Sequence, residues 1–132
     1  MFRSDDAGRT WTELINADPS GFGFAVAVHP HEPDTAWFIP AVNDEIRIPV
    51  DGRLVVSRTR DAGESFEVIG NGLPESSWDL VLRHALDVCY EGRVLAFGST
   101  TGNLYASEDG GDSWSTVDAN LPPVYSVEIT CG

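Results

Sequence analysis

Apolar residues in this chain come in short bursts rather than at helical spacing. Phe24, Ala25, Val26, Ala27 and Val28 form an unbroken run of the kind a fully buried strand shows. Residues 35–42 carry Trp37, Phe38 and Ile39, with Pro40 marking an edge or bulge. Residues 54–58, 67–69, 85–90, 94–97, 104–106, 115–117 and 124–129 read as further strands. Residues 1–3 and 12–15 read the same way. The interruptions are polar. Residues 16–23 are turn-rich, and His29, Pro30, His31, Glu32, Pro33 and Asp34 cannot continue a central strand. Residues 43–52 form a loop that closes on the turn Val50-Asp51-Gly52. Residues 70–84 are a long connection, in which Pro74, Glu75, Ser76 and Ser77 predict a short helical turn carrying residues 78–82.

One octapeptide punctuates this pattern three times: Ser4-Asp5-Asp6-Ala7-Gly8-Arg9-Thr10-Trp11, Thr59-Arg60-Asp61-Ala62-Gly63-Glu64-Ser65-Phe66 and Ser107-Glu108-Asp109-Gly110-Gly111-Asp112-Ser113-Trp114. The copies begin at 4, 59 and 107, and Pro19, Pro74 and Pro122 follow each aromatic at the same offset. A recurrence of about 50 residues marks a repeat architecture. The unit is four short strands with the octapeptide at the turn between the third and fourth, which is a β-propeller blade. The fold class is all-β, a partial propeller of antiparallel four-stranded blades. Residues 1–15 form a partial blade, 24–69 and 85–117 complete blades, and 124–130 the first strand of a next or closing blade. A ring needs at least about four blades, so this chain cannot close one alone.

Composition narrows the partners. At 132 residues with 42% hydrophobic content, the chain is long enough for one modest core. A net charge of −13 repels phosphate backbones and anionic lipid, which excludes nucleic acid and membrane surfaces as expected partners. No apolar run approaches membrane-spanning length, and the first residues lack the apolar core of a signal peptide, so a cytoplasmic location is expected unless a leader lies upstream. Cys89 and Cys131 make no disulfide framework or zinc spacing and read as reduced packing thiols. His29 and His31 lack a third ligand, so no metal and no cofactor is expected.

Within the octapeptide, Asp6, Asp61 and Asp109 are placed to accept hydrogen bonds from turn N–H groups. Gly8, Gly63 and Gly111 supply backbone angles that side chains penalise. Trp11, Phe66 and Trp114 offer apolar surface between neighbouring sheets. The spacing misses the EF-hand calcium template, and an active site is not built three times, so the role is structural. These residues resemble the Asp-box, or BNR, repeat of sialidases and related propellers. The first and third copies match every position, while Thr59 and Phe66 depart in the second. The resemblance implies that the octapeptides lie on the rim opposite the active face. Beyond them, Phe22-Gly23-Phe24, residues 26–33 and 49–54, Phe97-Gly98-Ser99-Thr100-Thr101-Gly102, Leu121-Pro122-Pro123 and Ser126-Val127-Glu128 resemble the C-terminal part of bacterial BNR-repeat proteins labelled sialidase-like or glycosyl hydrolase. That likeness implies a C-terminal portion of a longer protein.

The sialidases it resembles hold a substrate carboxylate with three arginines, attack with a Tyr backed by Glu, and use an Asp as acid/base. Ile46-Arg47-Ile48-Pro49 is similar to their Arg-Ile-Pro motif, although it lies between the first and second octapeptides rather than ahead of all of them. Arg47 is therefore a candidate carboxylate clamp. Tyr125 is a candidate for the strand-borne Tyr; the remaining arginines and the paired Glu are not located. Asp44, Glu45, Glu75 and Asp79 lie on connections that share one propeller face, but nothing fixes the spacing that glycosidase carboxylates require. Trp78, beside Asp79, Arg83 and His84, is suited to stack on a sugar ring; the plainer reading is a Trp that anchors its turn to the sheet. The candidate ligand-binding set is Asp44, Glu45, Arg47, Trp78, Asp79, Arg83 and His84.

The reading that follows is a propeller segment serving as scaffold or ligand-binding surface, with carbohydrate or protein as ligand. One rival is an exo-sialidase-type glycoside hydrolase whose other site residues lie outside this stretch. Another is a lectin-like module that closes its ring by self-association, because unpaired strand edges invite partners. Residues 43–53 and 70–84 are the loops expected on the functional face.

Overall fold

The structure, a computed structural model, describes residues 1–130; Cys131 lies outside them. Strands β1 (Phe2–Arg3) and β2 (Thr12–Glu13) pair as a hairpin. Strands β3 (Val26–Val28), β4 (Ala36–Phe38), β5 (Val56–Thr59) and β6 (Glu67–Ile69) form one four-stranded antiparallel sheet in sequence order. Strands β7 (Leu86–Val88), β8 (Leu95–Gly98), β9 (Leu104–Ser107) and β10 (Ser115–Asp118) form a second. The architecture is a partial β-propeller: half a blade followed by two complete ones. In the two four-stranded sheets, burial is least on the outermost strands β6 and β10. Every residue of β5 is buried, whereas every residue of β10 is exposed. The core lies between the sheets, where Trp37, Leu54, Val56, Leu95, Phe97, Tyr105 and Trp114 meet. Phe97 sits 5.0 Å from both the Tyr105 and the Trp114 rings.

The three octapeptides share one hydrogen-bond scheme. In the third, Asp109 Oδ1 accepts from Ser107 Oγ at 2.7 Å and Ser113 N at 2.9 Å, and Oδ2 accepts from Ser113 Oγ at 2.5 Å. Gly111 N donates to Ser107 Oγ at 2.9 Å. Asp6 and Asp61 repeat these bonds with Thr10 and Ser65. The hydrogen bond from the Ser113 hydroxyl holds the Asp109 carboxyl down at about 2, and the one from Thr10 does the same for Asp6. Asp61 is lowered by the Ser65 hydroxyl. The turn needs two successive left-handed residues: Ala7 and Gly8, Ala62 and Gly63, Gly110 and Gly111. The indole N–H of Trp11 and of Trp114 closes the turn on the carbonyl of Gly8 and Gly111.

The second and third turns are also sockets for the preceding sheet. Arg58, the residue before Thr59, donates to Gly110 O at 2.8 Å, and the Trp37 indole donates to the same oxygen at 2.9 Å. Arg58 also pairs with Glu67 at 2.8 Å and Asp112 at 2.7 Å. Arg3, in the equivalent place before Ser4, donates to Ala62 O at 2.7 Å.

Two sequence expectations change. Residues 74–82 contain no helix: 77–81 carry no regular structure, with Ser77, Asp79 and Val81 buried and Trp78 turned outward. Tertiary hydrogen bonds to flanking loops replace the intrahelical ones. Residues 124–129 are not a continuous strand; Ser126 makes one parallel bridge to His84, and Val124 N and Val127 N donate to Ser99 O and His84 O. Among the described residues this segment has a neighbour on one side alone, which leaves the ladder short.

Candidate functional site

In a meander of four strands, the turns after the first and third strands share one end of the sheet, and the connections after the second and fourth share the other. The contacts agree. The Gly110 N–H donates to Arg93 O, joining the third octapeptide to the β7–β8 turn. At the opposite end, Ser77 N donates to Gly52 O at 2.6 Å and Thr100 N to Leu80 O at 2.9 Å. Residues 77–81 are thus threaded between the β4–β5 loop and the β8–β9 turn. This loop-bearing end faces away from the octapeptides.

Asp79 is the knot of that face. Its carboxylate accepts from Ser99 Oγ at 3.1 Å, Asn103 Nδ2 at 3.1 Å and Tyr105 OH at 3.2 Å, and from Thr101 Oγ1. Burial and the neighbouring carboxylate push the Tyr105 phenol well above its ordinary range. With only 7% of its surface exposed, Asp79 turns its carboxylate into this network and ties the loops together from inside. Ser77 and Leu80, which bracket Trp78 and Asp79, are pinned by main-chain bonds, so Trp78 is presented from a fixed backbone with 67% of its surface exposed. The anchoring role considered for Trp78 from sequence is therefore not the one it takes; the buried Asp79 and Ser77 do the anchoring.

The β4–β5 loop is self-contained. Asn43 Oδ1 accepts from the N–H groups of Glu45 and Ile46, and Val42 N donates to Ile48 O. Arg47 donates to Asp44 O at 2.7 Å and to Asp44 Oδ1 at 3.0 Å, and lies 5.2 Å from the Phe24 ring centroid. Its guanidinium is thus already engaged by its own loop. Arg83 and His84 are exposed at the entrance to β7, and the His84–Ser126 bridge brings the exposed Tyr125 beside them. The Ser77–Gly52 bond couples this group to the loop of Asp44, Glu45 and Arg47. Glu75 is exposed on the same connection.

Sequence reading missed Ser99, Thr101, Asn103 and Tyr105 as partners of Asp79. The signal was the alternation of short polar side chains at 99, 101 and 103, directed to one side of a tight turn. His29 has its Nδ1 occupied, accepting from the N–H groups of His31 and Glu32 at 3.1 Å each, and stacks on Trp37. No cluster of three or more His, Cys, Asp or Glu suited to a metal occurs among the described residues.

Together the blades and the loop face define a partial β-propeller with antiparallel four-stranded blades. Among solved structures, the chain is similar to a GH74 enzyme of Niastella koreensis at 15% identity and a TM-score of 0.64. It is also similar to a GH74 xyloglucanase of Xanthomonas campestris at 27% identity and a TM-score of 0.63. Both alignments cover 92% of this chain but 18% of the other, so this chain spans less than a fifth of those enzymes. No family model and no curated protein matches the sequence.

Proposed function

We propose that this chain is the glycan-contacting stretch of a propeller-type, glycoside-hydrolase-like protein, supplying scaffold and binding surface rather than a complete catalytic set. The observation that carries this reading is Trp78, a large aromatic left 67% exposed on a backbone fixed on both sides. An exposed, immobilised indole loses little freedom when a sugar ring stacks on it. The 27% identity to a xyloglucanase supports a polysaccharide as the ligand. The three octapeptides support placing the chain among BNR-repeat propellers. Within that group we favour a neutral glycan over a sialic acid, because Arg47 is already bound to Asp44 and stacked on Phe24. A bidentate clamp uses two N–H donors on one edge of the guanidinium, and Asp44 already takes the Nε–Nη2 edge of Arg47.

Affinity electrophoresis in gels cast with xyloglucan tests the reading. The chain is expected to be retarded, and Trp78→Ala to lose most of the retardation. Migration unchanged by xyloglucan and by other neutral polysaccharides overturns it. Retention by sialylated glycans alone overturns the neutral preference, and release of reducing ends by this chain overturns its non-catalytic part.

A further inference from the structure

Five asparagines occur in the chain, and the fold leaves one of them unguarded. Asn16 Nδ2 donates to Glu64 O at 2.8 Å, and Asn103 Nδ2 donates to Asp79 Oδ1 at 3.1 Å. Asn43 Oδ1 accepts from the N–H groups of Glu45 and Ile46. Asn120 is followed by Leu121, whose N–H donates to Gly102 O at 3.1 Å. Asn71 is exposed, its side-chain amide has no hydrogen bond among the described residues, and Gly72 follows it. Leu73 N donates to Gly70 O at 3.0 Å and Gly72 has a φ of 83°, so residues 70–73 form a type II turn. The N–H of Gly72 lies outside the closing bond and has no acceptor among the described residues. The other Asx-Gly pairs are closed: Gly52 N donates to Pro49 O at 3.1 Å, and Gly110 N to Arg93 O at 2.8 Å.

The same turn is wedged against the third octapeptide. Trp114 N donates to Asn71 O at 2.9 Å, and a Cβ at Gly72 would run into Trp114 O. Leu73, 7% exposed, enters the same core cluster as Trp114.

We propose that Asn71 is a site of spontaneous deamidation, and that its modification loosens the third octapeptide from the connection after β6. Base removes the Gly72 amide proton, and the nitrogen attacks Cγ of Asn71. The bond from Cγ to the side-chain nitrogen breaks, and ammonia leaves with a proton returned from solvent. The cyclic succinimide then takes up one water at either carbonyl, giving an aspartyl or an isoaspartyl linkage at position 71. Glycine admits the attack because no Cβ shields its nitrogen. The Gly72 N–H breaks no hydrogen bond as it turns towards Cγ. The Asn71 carbonyl turns with it about the same Cα–C bond, so ring closure and release of the Trp114 N–H are one movement. The isoaspartyl form carries an extra methylene carbon in the main chain, inside a turn with no room beside the Trp114 backbone. Either product adds a negative charge to a chain already at −13.

The test incubates the folded chain in mildly alkaline buffer and follows each asparagine by mass spectrometry, with electron-transfer fragmentation to tell aspartyl from isoaspartyl. Asn71 is expected to convert at least about ten times faster than any other asparagine, without denaturant and at a rate that rises with hydroxide. In the isolated isoaspartyl form, the Trp114 amide should exchange with solvent at least about tenfold faster, with the Phe97 and Tyr105 amides unchanged. Asn71→Gln, whose longer side chain closes the ring far more slowly, should stay unmodified and keep the wild-type Trp114 exchange. The site is overturned if another asparagine converts first, or if Asn71 converts only when denaturant unfolds the chain. The effect on the octapeptide is overturned if the isoaspartyl form protects the Trp114 amide as well as the unmodified chain does.

Discussion

At the scale of single residues, the octapeptide turns concentrate the constraints. The sequence exposed the Gly at the fifth position of each copy but not the left-handed residue before it, where Ala7 and Ala62 adopt φ of 59° and 60°. Local hydrogen bonds to Asp and Ser hold that strained backbone in place. The third copy has Gly at both positions, which permits a comparison. A Cβ at Gly110 meets nothing within 4 Å, whereas one at Gly111 lies 2.9 Å from Trp37 Nε1. Gly110→Ala is expected to cost about 1 kcal/mol, the ordinary left-handed penalty. Gly111→Ala should cost at least about twice that, because it also displaces Trp37 from the joint. Urea melts of both variants measure the difference. The turn also carries pH dependence. Asp109 titrates at about 2 in the folded chain, below the roughly 3.9 of an unfolded Asp. Its stabilisation is therefore full above about pH 4 and is lost as pH falls through about 2. Asp109→Asn should lower Tm at neutral pH, and the gap from wild type should narrow as the melts are taken to low pH.

At the scale of elements, the strand pattern was legible and the connections were not. Short runs rich in apolar and β-branched residues, bounded by turn signals or lying directly before or after an octapeptide, located all ten strands. The connection at residues 70–84 misled because Pro74, Glu75 and Ser76 satisfy local helix-start rules. Its real conformation is set by distant groups: Gly52, Thr100 and the Asp79 donors on the β8–β9 turn. Asp79→Ala tests this dependence. The substitution leaves the side chains of Ser99, Thr101, Asn103 and Tyr105 without their shared acceptor and should cost about 3 kcal/mol. It should also free the backbone beside Trp78, so the Trp78 indole resonances should sharpen. A melt and an indole spectrum unchanged from wild type would show that the network carries no such load.

At the scale of the molecule, stability is expected to be uneven. The β1–β2 hairpin has strands of two residues each, while β8 and β9 share long ladders and the buried Phe97–Tyr105–Trp114 cluster. Amides of β1 and β2 should exchange with solvent faster than those of β8 and β9, by on the order of 100-fold. Equal protection would show that the half-blade folds as one unit with the rest. The chain by itself determined the repeat and the places of the ten strands, because these follow from local turn chemistry and from burial that recurs along the sequence. The tertiary structure alone decided that Asp79 turns inward and Trp78 outward, and that Arg47 is held by its own loop. Each of these depends on neighbours distant along the chain or on how a loop closes on itself, and a single strand pattern carries no record of which of its faces will be covered.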